Sequence, residues 1–279
     1  MINPGDLSIL DGKYLVVKEY SMSRRISIFD LDGNFVKLLK INYHASSCTS
    51  LKDNKIAIVA GYYGPGNKKT TKAKANNVLI KDISTGKEVN VATFNQEMRE
   101  SKLTPVHFYG SVNICRRDTN KLLVAFSENQ EICIYSLNGE KISSFKVHLQ
   151  REEVKKKDID LCLEKTIENS KTEREKEKMR QWIKMNRDKI FFPNLFPYYY
   201  KTTVDSEDNI LVFLNNWIDN SNVTFQVYSK DGQYICTTRV NSGNFKDIYP
   251  TIFHENSFYT RLERKESDSF AFLARIKLY

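Results

Sequence analysis

Apolar and polar positions alternate along this chain in short runs, and the same layout recurs. IFDLDGNFVKLL (Ile28 to Leu39), IKDISTGKEVNV (Ile80 to Val91), IYSLNGEKISSF (Ile134 to Phe145) and VYSKDGQYICTT (Val227 to Thr238) share it. Each is an alternating run, a polar turn ending in Gly, and a second alternating run. That is the pattern of a β-hairpin with one face covered and one half-exposed. Asp32-Gly33, Asn138-Gly139 and Asp231-Gly232 supply the positive φ that a tight hairpin needs.

A second element precedes each hairpin: a polar turn, then a continuous apolar run. It reads DGKYLVVKEY from Asp11, KDNKIAIVAG from Lys52, DTNKLLVAFS from Asp118 and SEDNILVFLN from Ser206. A fifth copy, HENSFYTRLE from His254, is followed by SFAFLARIKLY. Continuous apolar runs suit an inner strand covered on both faces. A further short strand (LSIL, SCTSL, VNICR, YKTTV, TIFH) stands ahead of each. The unit is therefore four antiparallel strands.

The hairpin glycines Gly33, Gly86 and Gly139 are about fifty residues apart, and the longer interval to Gly232 shortens to about fifty without the charged segment 148–190. Four strands per unit of this length make a propeller blade. The reading is one all-β domain over 1–279: a β-propeller of four-stranded antiparallel blades, five of them recognisable, with an α-helical insertion at 148–190. The insertion has no Gly or Pro and many helix formers. Val154, Leu161, Cys162, Leu163, Ile167, Met179, Trp182, Ile183 and Ile190 form a thin apolar stripe. Two helices broken near Asn169-Ser170 are expected, either as a partner-binding arm or lid over the ring or as a solvated decoration.

The run Asp205-Ser206-Glu207-Asp208-Asn209-Ile210-Leu211-Val212 resembles the bacterial NHL-like and TolB-like six-bladed β-propellers. The lead-in FFPNLFPYYY (Phe191 to Tyr200) is similar to theirs as well. The resemblance implies six blades, and export as a periplasmic or surface lipoprotein. Either the ring has five blades with imperfect closure, or, as the family's size implies, a signal and a first blade precede this chain; without such a segment the protein is expected in the cytoplasm. The motifs are structural and imply no activity.

Composition narrows the classes further. No run approaches the ~20 apolar residues of a membrane span, and MINPGDLSIL lacks the basic and apolar regions of a secretory signal. Five cysteines without CxxC spacing argue against a disulfide framework or a zinc knuckle, and Cys133 and Cys236 read as small hydrophobes within strands. The net charge of +9 is spread along the chain, which suits a lysine-rich surface better than a nucleic-acid stripe.

No catalytic signature occurs: no HExxH, GxSxG, P-loop or GxGxxG. The four histidines lack metal-ligand spacing. No catalytic residue, metal site or cofactor is assigned, and a binding role is expected ahead of an enzymatic one.

Propeller geometry still indicates where a site would lie. The loops entering each first strand share a face with those joining strands two and three of each blade. Arg24, Arg25, His44, Tyr62, His107, Tyr109, Tyr199, Trp217 and Arg264 fall on these loops and form the candidate ligand-binding set. Aromatic faces and forked donors suit a glycan or a protein partner. A divalent-metal-dependent propeller hydrolase or lyase is the alternative, and NHL-like RNA binding a third reading.

Overall fold

The computed structural model describes residues 4–19, 24–61, 74–96, 108, 110–117, 120–168, 170, 172–214, 222–241, 245–254, 257–264 and 271–277. The first blade is β1 (Pro4–Leu10), β2 (Tyr14–Glu19), β3 (Arg25–Asp30) and β4 (Phe35–Lys40). The second is β5 (His44–Ser50), β6 (Lys55–Gly61), β7 (Lys74–Asp82) and β8 (Glu88–Gln96). The third is β9 (Val112–Arg117), β10 (Lys121–Phe126), β11 (Glu131–Ser136) and β12 (Lys141–Lys146). Helices α1 (Lys156–Glu168) and α2 (Glu173–Met185) follow. The fourth blade is β13 (Lys201–Val204), β14 (Ile210–Phe213), β15 (Asn222–Tyr228) and β16 (Tyr234–Asn241). Strands β17 (Phe245–His254), β18 (Ser257–Arg264) and β19 (Ala271–Lys277) form a three-stranded fifth sheet. Every sheet runs in sequence order and is antiparallel, and the first strands β1, β5, β9, β13 and β17 adjoin one another in succession. This is a β-propeller, with the first strands around its axis.

Burial follows the sequence pattern. β6, β10 and β14 are covered on both faces, whereas β4 and β12 are largely exposed. Alternate residues of each second strand serve two inter-blade cores. Ile56 and Ile58 pack toward Val16 and Ile26 of the first blade, while Ala57 and Val59 pack toward Leu122 and Val124 of the third. Leu123 and Ala125 then meet Ile210, Val212 and Tyr228 of the fourth. Each buried valine, leucine or isoleucine among them contributes about 1.5–3 kcal/mol by leaving water, so the seams hold the blades together.

The outer hairpins repeat in detail. Gly33, Gly86, Gly139 and Gly232 all have φ between 75° and 88°. The first, third and fourth hairpins shift register by one residue beside their turns, the geometry of a glycine bulge, whereas the second shifts within its strands, between Val78 and Leu79. Two helices flank the expected break, and α2 begins with a capping box between Thr172 and Glu175.

Three expectations are corrected. Tyr199, placed on the rim by its loop position, is fully buried, and its hydroxyl donates to the Phe126 carbonyl at 3.0 Å. The loop folds inward there because its apolar rings fill the seam between the third and fourth blades. Cys236 is exposed, since β16 is the outermost strand of its blade. Trp182, counted in the packing stripe of α2, is 39% exposed; Ile183 beside it is the residue that packs.

Candidate functional site

Strand direction decides which side chains can meet. The starts of β1, β5, β9 and β13 and the ends of β2, β6, β10 and β14 open on the same face. The inter-blade connections and the turns between second and third strands lie there too, and so do α1 and α2.

At the channel mouth on this face the inner strands present charge. Asp6 of β1 and Lys18 of β2 are cross-strand register partners. The Asp6 Oδ2 accepts the Cys48 amide of β5 at 2.9 Å, joining the first two blades. Below it, Ser8 Oγ and Ser50 Oγ are 2.7 Å apart, and the Ser50 amide donates to Ser8 Oγ at 3.0 Å. Lys201, at the start of β13, lies within the fields of Asp6 and of Cys115 on β9. Burial holds its ammonium below the ordinary lysine value, and those two neighbours oppose the shift. Burial, with the Asp6 charge, pushes the Cys48 thiol up to about 12; burial pushes Cys115 to about 11. Both thiols are therefore neutral at physiological pH and unsuited to nucleophilic work. The Cys115 thiol donates to the Thr202 carbonyl at 3.1 Å.

Beside the mouth, Glu19 is buried yet compensated. It accepts from Arg25 Nε at 2.5 Å and from Ser27 Oγ at 2.8 Å. Arg24 is exposed next to that pair. Further round, Ser127 ties three segments together. Its Oγ accepts the Ser111 amide, its amide donates to the Ser111 carbonyl, and its carbonyl accepts the Tyr198 amide. Glu128 Oε1 takes the Gly110 amide at 2.9 Å.

The helical arm is anchored on this face. Phe108, from the connection between the second and third blades, stacks on Phe196 and meets Phe192 edge-on, with ring centroids 5.0 Å apart in both pairs. Cys162 of α1 buries against the same cluster. Arg151 donates to the Phe196 and Leu195 carbonyls and lies over the Tyr198 ring. On α2, Glu173 pairs with Lys176 and Glu177 with Arg180, while Ile183 faces inward. Helical spacing puts Arg174, Lys178, Gln181, Trp182 and Met185 on the outward side, with Met185 71% exposed.

The structure brings Arg24 and Arg25 to the expected face and leaves His44 half-buried at the start of β5. Arg264 ends β18, described by its backbone. Tyr62, His107, Tyr109 and Trp217 lie outside the described residues. Sequence reading missed Asp6, Lys18 and Lys201. The one available signal was a lysine at the end of the apolar run LVVK. Among the described residues no three His, Cys, Asp or Glu side chains gather as metal ligands, and no helix is long and apolar enough to cross a membrane.

No protein-family model matches the chain, and no curated protein matches it in sequence. Solved structures do match in fold. A DUF4221-family member from Bacteroides vulgatus superposes with a TM-score of 0.51 at 11% identity, over 96% of this chain and 76% of that one. A Bacteroides fragilis protein described as exported gives 0.50 at 13% identity, over 93% of this chain and 66% of that one. Streptogramin B lyase gives 0.44 at 10% identity, over 99% and 69%. At such identities the likeness is one of fold.

Proposed function

We propose that this chain is a β-propeller binding protein that engages a protein partner through the face carrying the channel mouth, with the helical arm as its principal contact. One observation carries the reading. The arm is fixed by an aromatic cluster on its inner side, yet it turns Trp182 and Met185 outward, in the two turns that follow Lys178. An exposed aromatic and a flexible thioether beside cations fit the composition of protein-interface anchors. Glycan recognition has less support, because Tyr199 is in the core rather than on the rim.

Affinity capture with the wild-type chain, compared with Trp182→Ser combined with Met185→Ser, tests this. A protein retained by the wild type and lost from the double variant, at unchanged thermal stability, supports the arm as the contact. Equal retention by both overturns it. A glycan array bound by the wild type and not by Arg24→Ala with Trp217→Ala would transfer the function to sugar recognition.

A further inference from the structure

Charge is unevenly spent along α2. Its three carboxylates are all engaged close to home. Glu173 accepts from Lys176 Nζ at 2.6 Å, and Glu177 accepts from Arg180 and Gln181, each at 3.3 Å. Glu175 closes the capping box with Thr172. Five cations stand on the same helix and two of them are paired, which leaves Arg174, Lys178 and Lys184. These three are exposed and make no hydrogen bond or ion pair among the described residues. Helical spacing sets them with the apolar pair. Arg174, Lys178 and Met185 fall within about 40° of one another around the axis, opposite the buried Ile183, and Trp182 and Lys184 border them on either side. The stripe runs about 16 Å, with Arg174 and Lys178 toward its start and Trp182 and Met185 in its last turn.

We propose that this stripe docks an acidic segment of a protein partner, with carboxylates on Arg174 and Lys178 and an apolar side chain against Trp182 and Met185. The inference rests on the helical arm being the contact, and adds the chemistry of what the arm holds. Charge complementarity selects the occupant. A basic segment would set like charges together, and a neutral one would strip water from the three cations without replacing it. Arg174 and Lys178 lie about 6 Å apart along the axis, which matches carboxylates at alternate residues of an extended chain. An anionic membrane fits less well. A helix lying in a membrane surface wants an apolar face along its length, whereas Ile183 faces the protein and the paired glutamates flank the stripe.

Fluorescence anisotropy on the full chain tests the proposal with two labelled peptides. One alternates Asp and Glu ahead of Leu-Phe-Leu; the other carries Lys and Arg in place of the acids. The acidic peptide should bind the wild type and the basic one should not. Arg174→Gln combined with Lys178→Gln should weaken the acidic peptide about fivefold, the size of two exposed ion pairs, at unchanged thermal unfolding. Lys52→Gln, exposed in the turn between β5 and β6, should leave it unchanged. Equal binding of the two peptides, binding indifferent to Arg174 and Lys178, or no binding of the acidic peptide overturns the acidic partner. Those results leave the arm standing as the contact if protein capture still depends on Trp182 and Met185; capture independent of both removes the arm as well. Vesicles of equal parts phosphatidylserine and phosphatidylcholine, bound by the wild type and not by the Arg174→Gln, Lys178→Gln variant, would assign the stripe to a membrane and overturn the proposal.

Discussion

Asp30 shows what one side chain does in a blade. Its Oδ1 accepts the Asn34 amide at 2.7 Å, and its Oδ2 accepts the Asn34 side chain at 2.9 Å. The same clasp joins Asp205 to Asn209 at the start of the fourth blade's second strand. In the third and fourth outer hairpins Ser136 and Ser229 perform it with a hydroxyl. The Asn34 side chain and amide hold the Asp30 carboxyl below its ordinary value, against a weaker opposing effect of desolvation. A folded-state value below the unfolded ~3.9 means the clasp stabilises above about pH 4 and is lost as pH falls through the folded value. In an NMR pH titration the Asn34 amide should shift with a midpoint below that of a free aspartate. Asp30→Asn should flatten the curve, and an ordinary aspartate midpoint would refute the clasp. These turns were legible in the sequence because Asp, Asn and Gly act on their own backbone over four or five residues. Lys18 and Lys201 were not. Each is a single letter in a strand, and what lies near it comes from other strands: Asp6 across the register from Lys18, and Cys115 and Asp6 for Lys201. Tyr199 was misplaced for a related reason: its loop position could be read, but the seam that takes its ring could not.

At the scale of elements, each outer hairpin also leans on the blade before it. Lys37 donates to the Ile83 carbonyl at 2.9 Å, Lys55 to Leu137 at 3.4 Å, and Arg117 to Lys230. All three acceptors sit at the same position of successive hairpin turns, so one blade's cation clasps the next blade's turn. The hairpin glycines differ accordingly. A Cβ on Gly33 would meet nothing within 4 Å, whereas one on Gly232 would fall 2.4 Å from Cγ of Phe145 in the third blade. Gly33→Ala should therefore cost only the left-handed backbone penalty, about 1–2 kcal/mol. Gly232→Ala adds an overlap worth about 1–3 kcal/mol more, because Phe145 is itself held against Tyr228. Urea denaturation of the two variants should rank them in that order. Equal midpoints would mean that the hairpin does not rest on the third blade. The hairpins themselves were plain from the alternation; their docking was not, since glycine spacing carries no information about a neighbouring blade's outer strand.

At the scale of the whole molecule, the seams between blades are alike but the first blade has one face of another kind. Leu10, Val16 and Ile26 point into the seam with the second blade and are buried. On the opposite face Leu7 and Ile9 pair across the sheet with Val17 and Leu15, and Phe29 meets Phe35 edge-on at 5.8 Å. There Leu7 is 59% exposed and Ile9 53%. An inner strand of a propeller is the place where apolar side chains are expected to leave water, so this face is where the molecule gains least from burial. The two faces of β1 should then respond oppositely to substitution. Leu10→Ala removes a packed side chain and should cost about 2–5 kcal/mol. Leu7→Thr with Ile9→Thr replaces exposed apolar groups by a strand-compatible polar one and should stay within about 0.5 kcal/mol for each position. The same double substitution should lower binding of a hydrophobic dye to the native protein, whereas Leu10→Ala should not. If the double variant instead loses as much stability as Leu10→Ala, the face is covered in solution, and its side chains belong to a seam like the other three.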